Sequence, residues 1–78
     1  MHFISELEGS SPKLKISLYH WNSKFFVKFE TPDLEQVYKF PEMDIDEKEL
    51  KKAINKDFIS KITKRFHEMY MDINEIIN

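Results

Sequence analysis

The stretch KLKISLYHWNSKFFVKFE, residues 13–30, alternates apolar and polar side chains on either side of one short polar break. A period of two is typical of half-buried β-strands. If Asn22 and Ser23 form a two-residue hairpin loop, Leu18 pairs with Val27. In this register the apolar side chains of both strands share one face: Leu14, Ile16, Leu18, Phe25, Val27 and Phe29. We therefore predict a β-hairpin with one side facing the core.

Two more strands are predicted on either side of this hairpin. HFISELE, residues 2–8, reads as a first strand and is separated from the hairpin by the turn-forming residues 9–12. LEQVYKF, residues 34–40, follows a proline-containing turn at residues 31–33. The loop length leaves open which face of the sheet its apolar side chains occupy. We predict a four-stranded antiparallel β-meander within residues 1–41.

The second half of the chain carries helix signals. Asp46 can cap a helix, Glu49 completes a capping box, and Ile45 with Leu50 forms the flanking hydrophobic staple. From there the apolar residues recur with helical period, but in two stripes that point in nearly opposite directions. The first stripe is Leu50, Ala53 and Ile54, and the second is Phe58, Ile59, Ile62, Phe66, Met69, Tyr70 and Ile73.

One straight helix cannot turn both stripes toward one core, so we predict a break at residues 55–57. Asp57 is expected to cap the second helix, which runs from residue 58 to about residue 76. The alternative is a single helix buried on most sides, which the lysines at 51, 52, 56, 61 and 64 disfavour. The predicted fold class is α+β, a single two-layer domain over residues 1–78. Its four-stranded antiparallel β-meander (1–41) is followed by one short and one long C-terminal helix (42–78), both on one face.

The composition is that of a globular protein, with 41% hydrophobic and 33% charged residues in a chain of 78. The absence of cysteine excludes disulfides and cysteine-ligated metal sites. The N-terminal segment MHFISELEG has neither a basic leader nor a long apolar stretch. No run approaches the roughly 20 apolar residues that span a bilayer. We expect a soluble, cytoplasmic protein with no membrane association.

Charge is unevenly distributed along the chain. The overall net charge of -2 disfavours general nucleic-acid binding. Residues 42–50 carry a net charge of -4, residues 51–65 of +5, and residues 66–78 of -3. The basic block, KKAINKDFISKITKR, is suited to a phosphate or an acidic partner. Its alternative interpretation is a solvated polar face kept soluble by the acids on both sides.

Signals for catalysis or for a cofactor are missing from the sequence. The three histidines, His2, His20 and His67, are far apart, and none has the spacing that places two metal ligands on one helical face. We interpret His20 as a half-buried side chain that bonds to the backbone. A single glycine leaves no phosphate-binding loop, and no serine sits in a nucleophile elbow. The sequence predicts no enzyme, no metal site and no cofactor.

The hairpin places extra aromatic side chains on the face opposite its aliphatic residues. These are Tyr19, Trp21 and Phe26, interleaved with Lys15, Lys24 and Lys28. Aromatic rings on a sheet mark many protein interfaces, and aromatics among lysines also form platforms for single-stranded nucleic acid. A third interpretation is that another element covers the rings or that their cross-strand pairing only stiffens the hairpin. No nucleic-acid motif adds weight to the second.

The long helix is expected to extend beyond the sheet. About twenty residues span about 30 Å, whereas four strands are only about 15 Å across. The last turns carry Met71, Ile73, Ile76 and Ile77, which would then need a cover. A second copy of the chain is the simplest cover, and fraying of the terminal turn is the alternative.

The functional hypothesis is a small non-enzymatic interaction protein that acts through self-association or a protein partner. The candidate binding residues are Tyr19, Trp21, Phe26, Lys15, Lys24 and Lys28, and the candidate self-association residues are Ile73, Ile76 and Ile77. The alternative hypothesis is a single-stranded nucleic-acid-binding module that uses the same aromatic and lysine face. No residue-level motif ties the sequence to a named family.

Overall fold

A computed structural model describes all residues, 1–78. It confirms the α+β fold, a four-stranded antiparallel sheet followed by a short and a long helix. No helix of the structure combines the length and the apolarity needed to cross a membrane. In chain order the elements are β1 (His2–Glu6), β2 (Lys15–Trp21), β3 (Lys24–Glu30), β4 (Glu35–Pro41), α1 (Glu47–Ala53) and α2 (Lys56–Ile77).

The sheet has the strand order β1-β2-β3-β4, so every strand pairs with its neighbour in the chain. The central hairpin has the predicted register, with Leu18 opposite Val27. Its loop residues Asn22 and Ser23 have φ angles of 52° and 62°. Two consecutive left-handed residues are the backbone of a type I′ turn, whose twist matches that of the flanking strands. The hairpin prediction is confirmed.

The first strand is less regular than the hairpin. The pairing of β1 with β2 shifts between Phe3 and Ser5, as in a β-bulge. The chain then turns at Gly9, whose φ of +100° is open to glycine and strained for other residues. A Cβ atom at this position would lie 2.5 Å from the Cδ1 atom of Ile59, so α2 passes close against this turn.

The start of α1 agrees with the sequence prediction. The carboxylate of Asp46 accepts a hydrogen bond from the backbone N–H of Glu49 at 2.7 Å. The carboxylate of Glu49 in turn accepts one from the backbone N–H of Asp46, which completes the capping box. Two donors that the first turn of a helix leaves without partners are thereby satisfied.

The break between the helices lies earlier than predicted. Ile54 leaves helical geometry, and α2 begins at Lys56 with Asn55 as its N-cap. The side-chain oxygen of Asn55 accepts a hydrogen bond from the backbone N–H of Phe58 at 3.0 Å. The prediction that Asp57 caps α2 was therefore wrong. Asp57 lies inside the first turn, where its negative charge interacts favourably with the positive end of the helix dipole.

Replacing Asn55 with Ala is expected to lower the free energy of unfolding by about 1 kcal/mol, because the N–H of Phe58 loses its acceptor. Asp57→Ala is the matched control and should cost only about 0.3–1 kcal/mol, the usual size of a dipole interaction at a helix end. Urea denaturation of both variants gives the comparison. A larger loss for Asp57→Ala would contradict the cap assignment.

The core lies between the sheet and the two helices. Its buried side chains come from the strands, from both helices and from residues directly after β1 and α1: Leu7, Ile16, Leu18, Phe25, Val27, Phe29, Leu50, Ile54, Ile62 and Phe66. Leu14, Phe58 and Met69 pack against this cluster, so the predicted contact between the hairpin and the second helical stripe is confirmed. Ala53, which was predicted in the first stripe, is exposed.

The apolar side chains of β4 face the core, a point that the sequence left open. Tyr38 lies opposite Val27 and Phe40 opposite Phe25, so both face the core. Contacts from α2 hold this side of the strand: the side-chain amide of Gln36 donates to the carbonyl of Ile62 at 3.0 Å. The guanidinium of Arg65 donates to the hydroxyl of Tyr38 and to the side-chain oxygen of Gln36.

Candidate interaction surfaces

The sheet has one face under the helices and one that no helix packs against, which we call the outer face. The β2–β3 register places Tyr19 opposite Phe26 and Trp21 opposite Lys24, as predicted. These side chains alternate with residues of the core, so they belong to the outer face. The aromatic residues singled out from the sequence are therefore neighbours in space.

Their exposure to solvent differs. The side chain of Trp21 is 57% exposed, Tyr19 is half-buried, and Phe26 is buried. The burial of Phe26 differs from the sequence-based expectation of an open binding residue. It follows from position, because β3 is a central strand, and Tyr19 of β2 and Lys39 of β4 flank Phe26 directly. Phe26 thus supports its neighbours and presents little surface of its own.

Phe3 belongs to this surface, although the sequence did not single it out. Its ring lies against Tyr19 with 5.5 Å between ring centroids and an interplanar angle of 66°, an edge-to-face contact. The side chain of Phe3 is 49% exposed. We call Phe3, Tyr19 and Trp21 the aromatic surface. The alternation of apolar and polar residues alone does not predict this placement, because the register shifts between Phe3 and Ser5.

Two outer-face lysines lie over aromatic rings. The ammonium of Lys28 is 5.8 Å from the ring centroid of Tyr19, and that of Lys39 is 5.7 Å from the ring centroid of Phe26. Both distances are typical of cation–π contacts. Lys28 also lies 3.8 Å from a carboxylate oxygen of Glu30. Lys28 thus occupies the ring face of the half-buried Tyr19, on which a nucleic-acid base would otherwise stack.

Charge on the outer face differs between the two ends of the sheet. Lys24 and Lys39 lie toward the Asn22-Ser23 turn, beside the aromatic surface. The acids of this face lie toward the other end: Glu6 is opposite Ser17, and Glu30 is opposite Lys15 and Glu35. Lys15 is thus paired with an acid across the strands, whereas Lys24 faces Trp21. The aromatic end is basic, and the other end is mixed.

The end of α2 is a second exposed apolar region. The last side-chain hydrogen bond from the helix to the sheet half runs from the hydroxyl of Tyr70 to the carboxylate of Asp33, at 3.1 Å. Beyond it Ile73 is half-buried, whereas Met71, Ile76 and Ile77 are 58%, 83% and 72% exposed. The molecule measures 44 × 25 × 21 Å, an elongated shape for so short a chain. Self-association through Ile73, Ile76 and Ile77 stays a prediction.

The basic block of the sequence divides into two groups in space. Lys51, Lys52 and Lys56 of the block, together with Lys48 from outside it, border a cleft of about 500 Å³ between the helix junction and the Gly9 turn. Lys51 is paired with Glu47 at 3.1 Å, which offsets part of the charge. Arg65 instead contacts β4, as described above, so its guanidinium acts within the fold.

Histidine and carboxylate side chains form one cross-strand contact of note. His20 is half-buried, but its Nε2 atom lies 3.0 Å from a carboxylate oxygen of Glu42. The predicted bond to the backbone was wrong, because Glu42 follows β4 directly and reaches across the end of the sheet. No group of three or more histidine, aspartate or glutamate side chains is placed to hold a metal ion.

Comparisons of the chain with protein-family models, with curated proteins and with solved structures returned no match.

Proposed function

We propose that this chain is a non-enzymatic protein-interaction module that binds its partner through the aromatic surface. The observation that carries the proposal is the pair of large exposed rings, Trp21 at 57% and Phe3 at 49%, on a sheet face without a covering helix. Tyr19 lies between them and touches Phe3. Adjacent exposed apolar side chains mark many protein interfaces, and tryptophan and tyrosine are enriched among the residues that contribute most to binding.

The surroundings of the rings indicate the chemistry of the partner. Lys24 and Lys39 are the charged neighbours at this end of the outer face, and the acids lie at the far end. An apolar side chain flanked by carboxylates would therefore find both hydrophobic contact and complementary charge. The preferred partner is a segment or surface of another protein in which apolar side chains are flanked by acidic ones.

Single-stranded nucleic acid fits this surface less well. Lysine ammonium groups occupy the ring faces of Tyr19 and Phe26, and Glu30 and Glu35 lie on the same sheet face. The net charge of the chain is -2. Because phosphate contacts dominate such binding, nearby carboxylates would weaken it. This alternative is an outcome of the experiment below.

The fluorescence of Trp21 tests the proposal, because it is the only tryptophan in the chain. We expect titration with a short peptide of leucine and phenylalanine flanked by glutamates to shift its emission to the blue, as the ring leaves water. Phe3→Ala should weaken this binding at least tenfold, since truncating a hot-spot ring of an interface costs about 1.4 kcal/mol or more. Ile76→Ala, which truncates a still more exposed apolar residue of α2, is the control and should bind like the parent.

Two results would contradict the proposal. A shift with an oligo-dT strand and none with the peptide would favour the nucleic-acid alternative. Equal weakening by Phe3→Ala and Ile76→Ala would show that the aromatic surface is not the site of contact.

A further inference from the structure

The free edge of β4 presents a defined set of backbone groups. The N–H of Glu42 donates to the carbonyl of Ser23, and the N–H of Thr31 donates to the carbonyl of Leu34. These bonds bracket the β3–β4 ladder, in which bonded and non-bonded pairs alternate. Even-numbered residues of β4 therefore bond to β3. The N–H and C=O groups of Glu35, Val37 and Lys39 point away from the sheet.

Nothing in the chain pairs with these outward groups. No turn, loop or side-chain hydrogen bond of the structure reaches the backbone of Glu35, Val37 or Lys39. Their side chains are all exposed. The strand is also held in place, because α2 contacts its inner side at Gln36 and Tyr38. β4 is thus a regular, seven-residue strand with an open edge.

The opposite edge of the sheet is different. β1 has only five residues, and its pairing shifts between Phe3 and Ser5. Short, bulged strands are a common device against edge-to-edge pairing. Of the two edges, β4 is the one suited to accept another strand.

The charges along β4 indicate which strand, in which register, would fit against its open edge. An antiparallel copy of β4 centred on Val37 places Glu35 opposite Lys39 of the second copy, and Lys39 opposite its Glu35. All three outward residues then meet their counterparts in bonded pairs, which gives six backbone hydrogen bonds and two opposite-charge pairs. A register centred on Lys39 would oppose two lysines. One centred on Tyr38 would oppose Glu35 to Pro41, which has no N–H to donate.

We propose that a second copy of this chain pairs with β4 in this Val37-centred, antiparallel register. The result is a twofold dimer with one continuous eight-stranded sheet. Lys39 and Pro41, features that usually keep edges apart, then discriminate between registers: Lys39 meets an acid, and Pro41 lies beyond the paired residues. The second copy is the partner that supplies both the matching charge and the matching backbone groups, as isologous contacts require.

This dimer would join the outer faces of the two copies on one side. The two aromatic surfaces would lie roughly 25 Å apart across the strands, at about 4.8 Å per strand spacing. A partner with two acidic, apolar segments would then bind with the advantage of a linked second site. The dimer itself does not depend on the proposed function of that surface.

Analytical ultracentrifugation of the full chain tests the dimer through charge reversal. We expect the parent to self-associate, and Glu35→Lys or Lys39→Glu alone to raise the dissociation constant at least tenfold by opposing like charges. The double variant Glu35→Lys/Lys39→Glu restores opposite charges and should recover the affinity. Lys24→Glu, the same charge change on the same face but on β3, is the matched control and should leave it unchanged.

A substitution that removes a backbone hydrogen-bond donor tests the dimer independently of the charge reversals. Val37→Pro removes one outward N–H and none of the bonds to β3, so the monomer should keep its circular dichroism spectrum and lose the dimer. A parent that stays monomeric at millimolar concentration would overturn the proposal, as would a double reversal that fails to recover affinity. A dimer that persists in every β4 variant and is lost in Ile76→Glu would place the contact at the end of α2 instead. Phe3→Ala should leave the dimer intact, which separates this result from the test of the aromatic surface.

Discussion

Replacing Phe66 with Ala is expected to lower the free energy of unfolding by about 3–5 kcal/mol. Phe66 is 5% exposed and lies in the core cluster between α2 and the sheet. Removing its ring takes away buried apolar surface and leaves a cavity that the neighbouring side chains fill only in part. For a chain of 78 residues this loss is a large part of a total stability of roughly 4–12 kcal/mol.

Urea denaturation followed by far-UV circular dichroism measures the loss. The neighbouring His67 is exposed on the same helix, so His67→Ala is the control and should change stability little. A midpoint for Phe66→Ala close to that of the parent would mean that this face of α2 does not pack on the sheet.

Leu50→Ala is expected to cost about 2–5 kcal/mol and to release α1 from the fold. Leu50 is 1% exposed and is the only buried residue within the seven residues of α1. A helix this short is not stable by itself in water, so its docking depends on that one side chain and on Ile54 just beyond it.

Hydrogen exchange distinguishes release of α1 from a general loss of stability. In Leu50→Ala the amides of α1 should lose protection before those of β2 and β3. Lys52→Ala, an exposed position in the same helix, should leave all three elements protected as in the parent. Uniform loss of protection in Leu50→Ala would show that α1 and the sheet unfold as one unit.

The central hairpin was predictable because its determinants are local. Alternation defines the two faces, and a two-residue turn at Asn22 and Ser23 fixes the register. The same local logic gave the capping box at Asp46. The presence of two helices was predictable as well, because no single straight helix can turn both apolar stripes toward one core.

The parts that the sequence left open depend on contacts between distant residues. The placement of Phe3 depends on a register shift that no pattern of alternation reveals. The burial of Phe26 depends on Lys39, which lies on another strand. Asn55 and Asp57 are both good N-cap residues. Asn55 is the cap because α1 ends where Ile54 packs into the core, directly before it. The partner that we propose for the aromatic surface lies outside the chain altogether.

The strand order β1-β2-β3-β4 has a consequence for how the chain folds during its synthesis. Every strand pairs with its sequence neighbour, and the β2–β3 and β3–β4 connections are only two and four residues long, so these hairpins can form within microseconds of emerging. Residues 42–78, which carry both helices, follow at roughly 5–20 residues per second and take about 2–7 seconds to appear. For that interval a nascent meander would present its inner side to water, with Ile16, Val27 and Phe29 uncovered. A chain at this stage exposes an apolar sheet face, which favours aggregation until α2 covers that face.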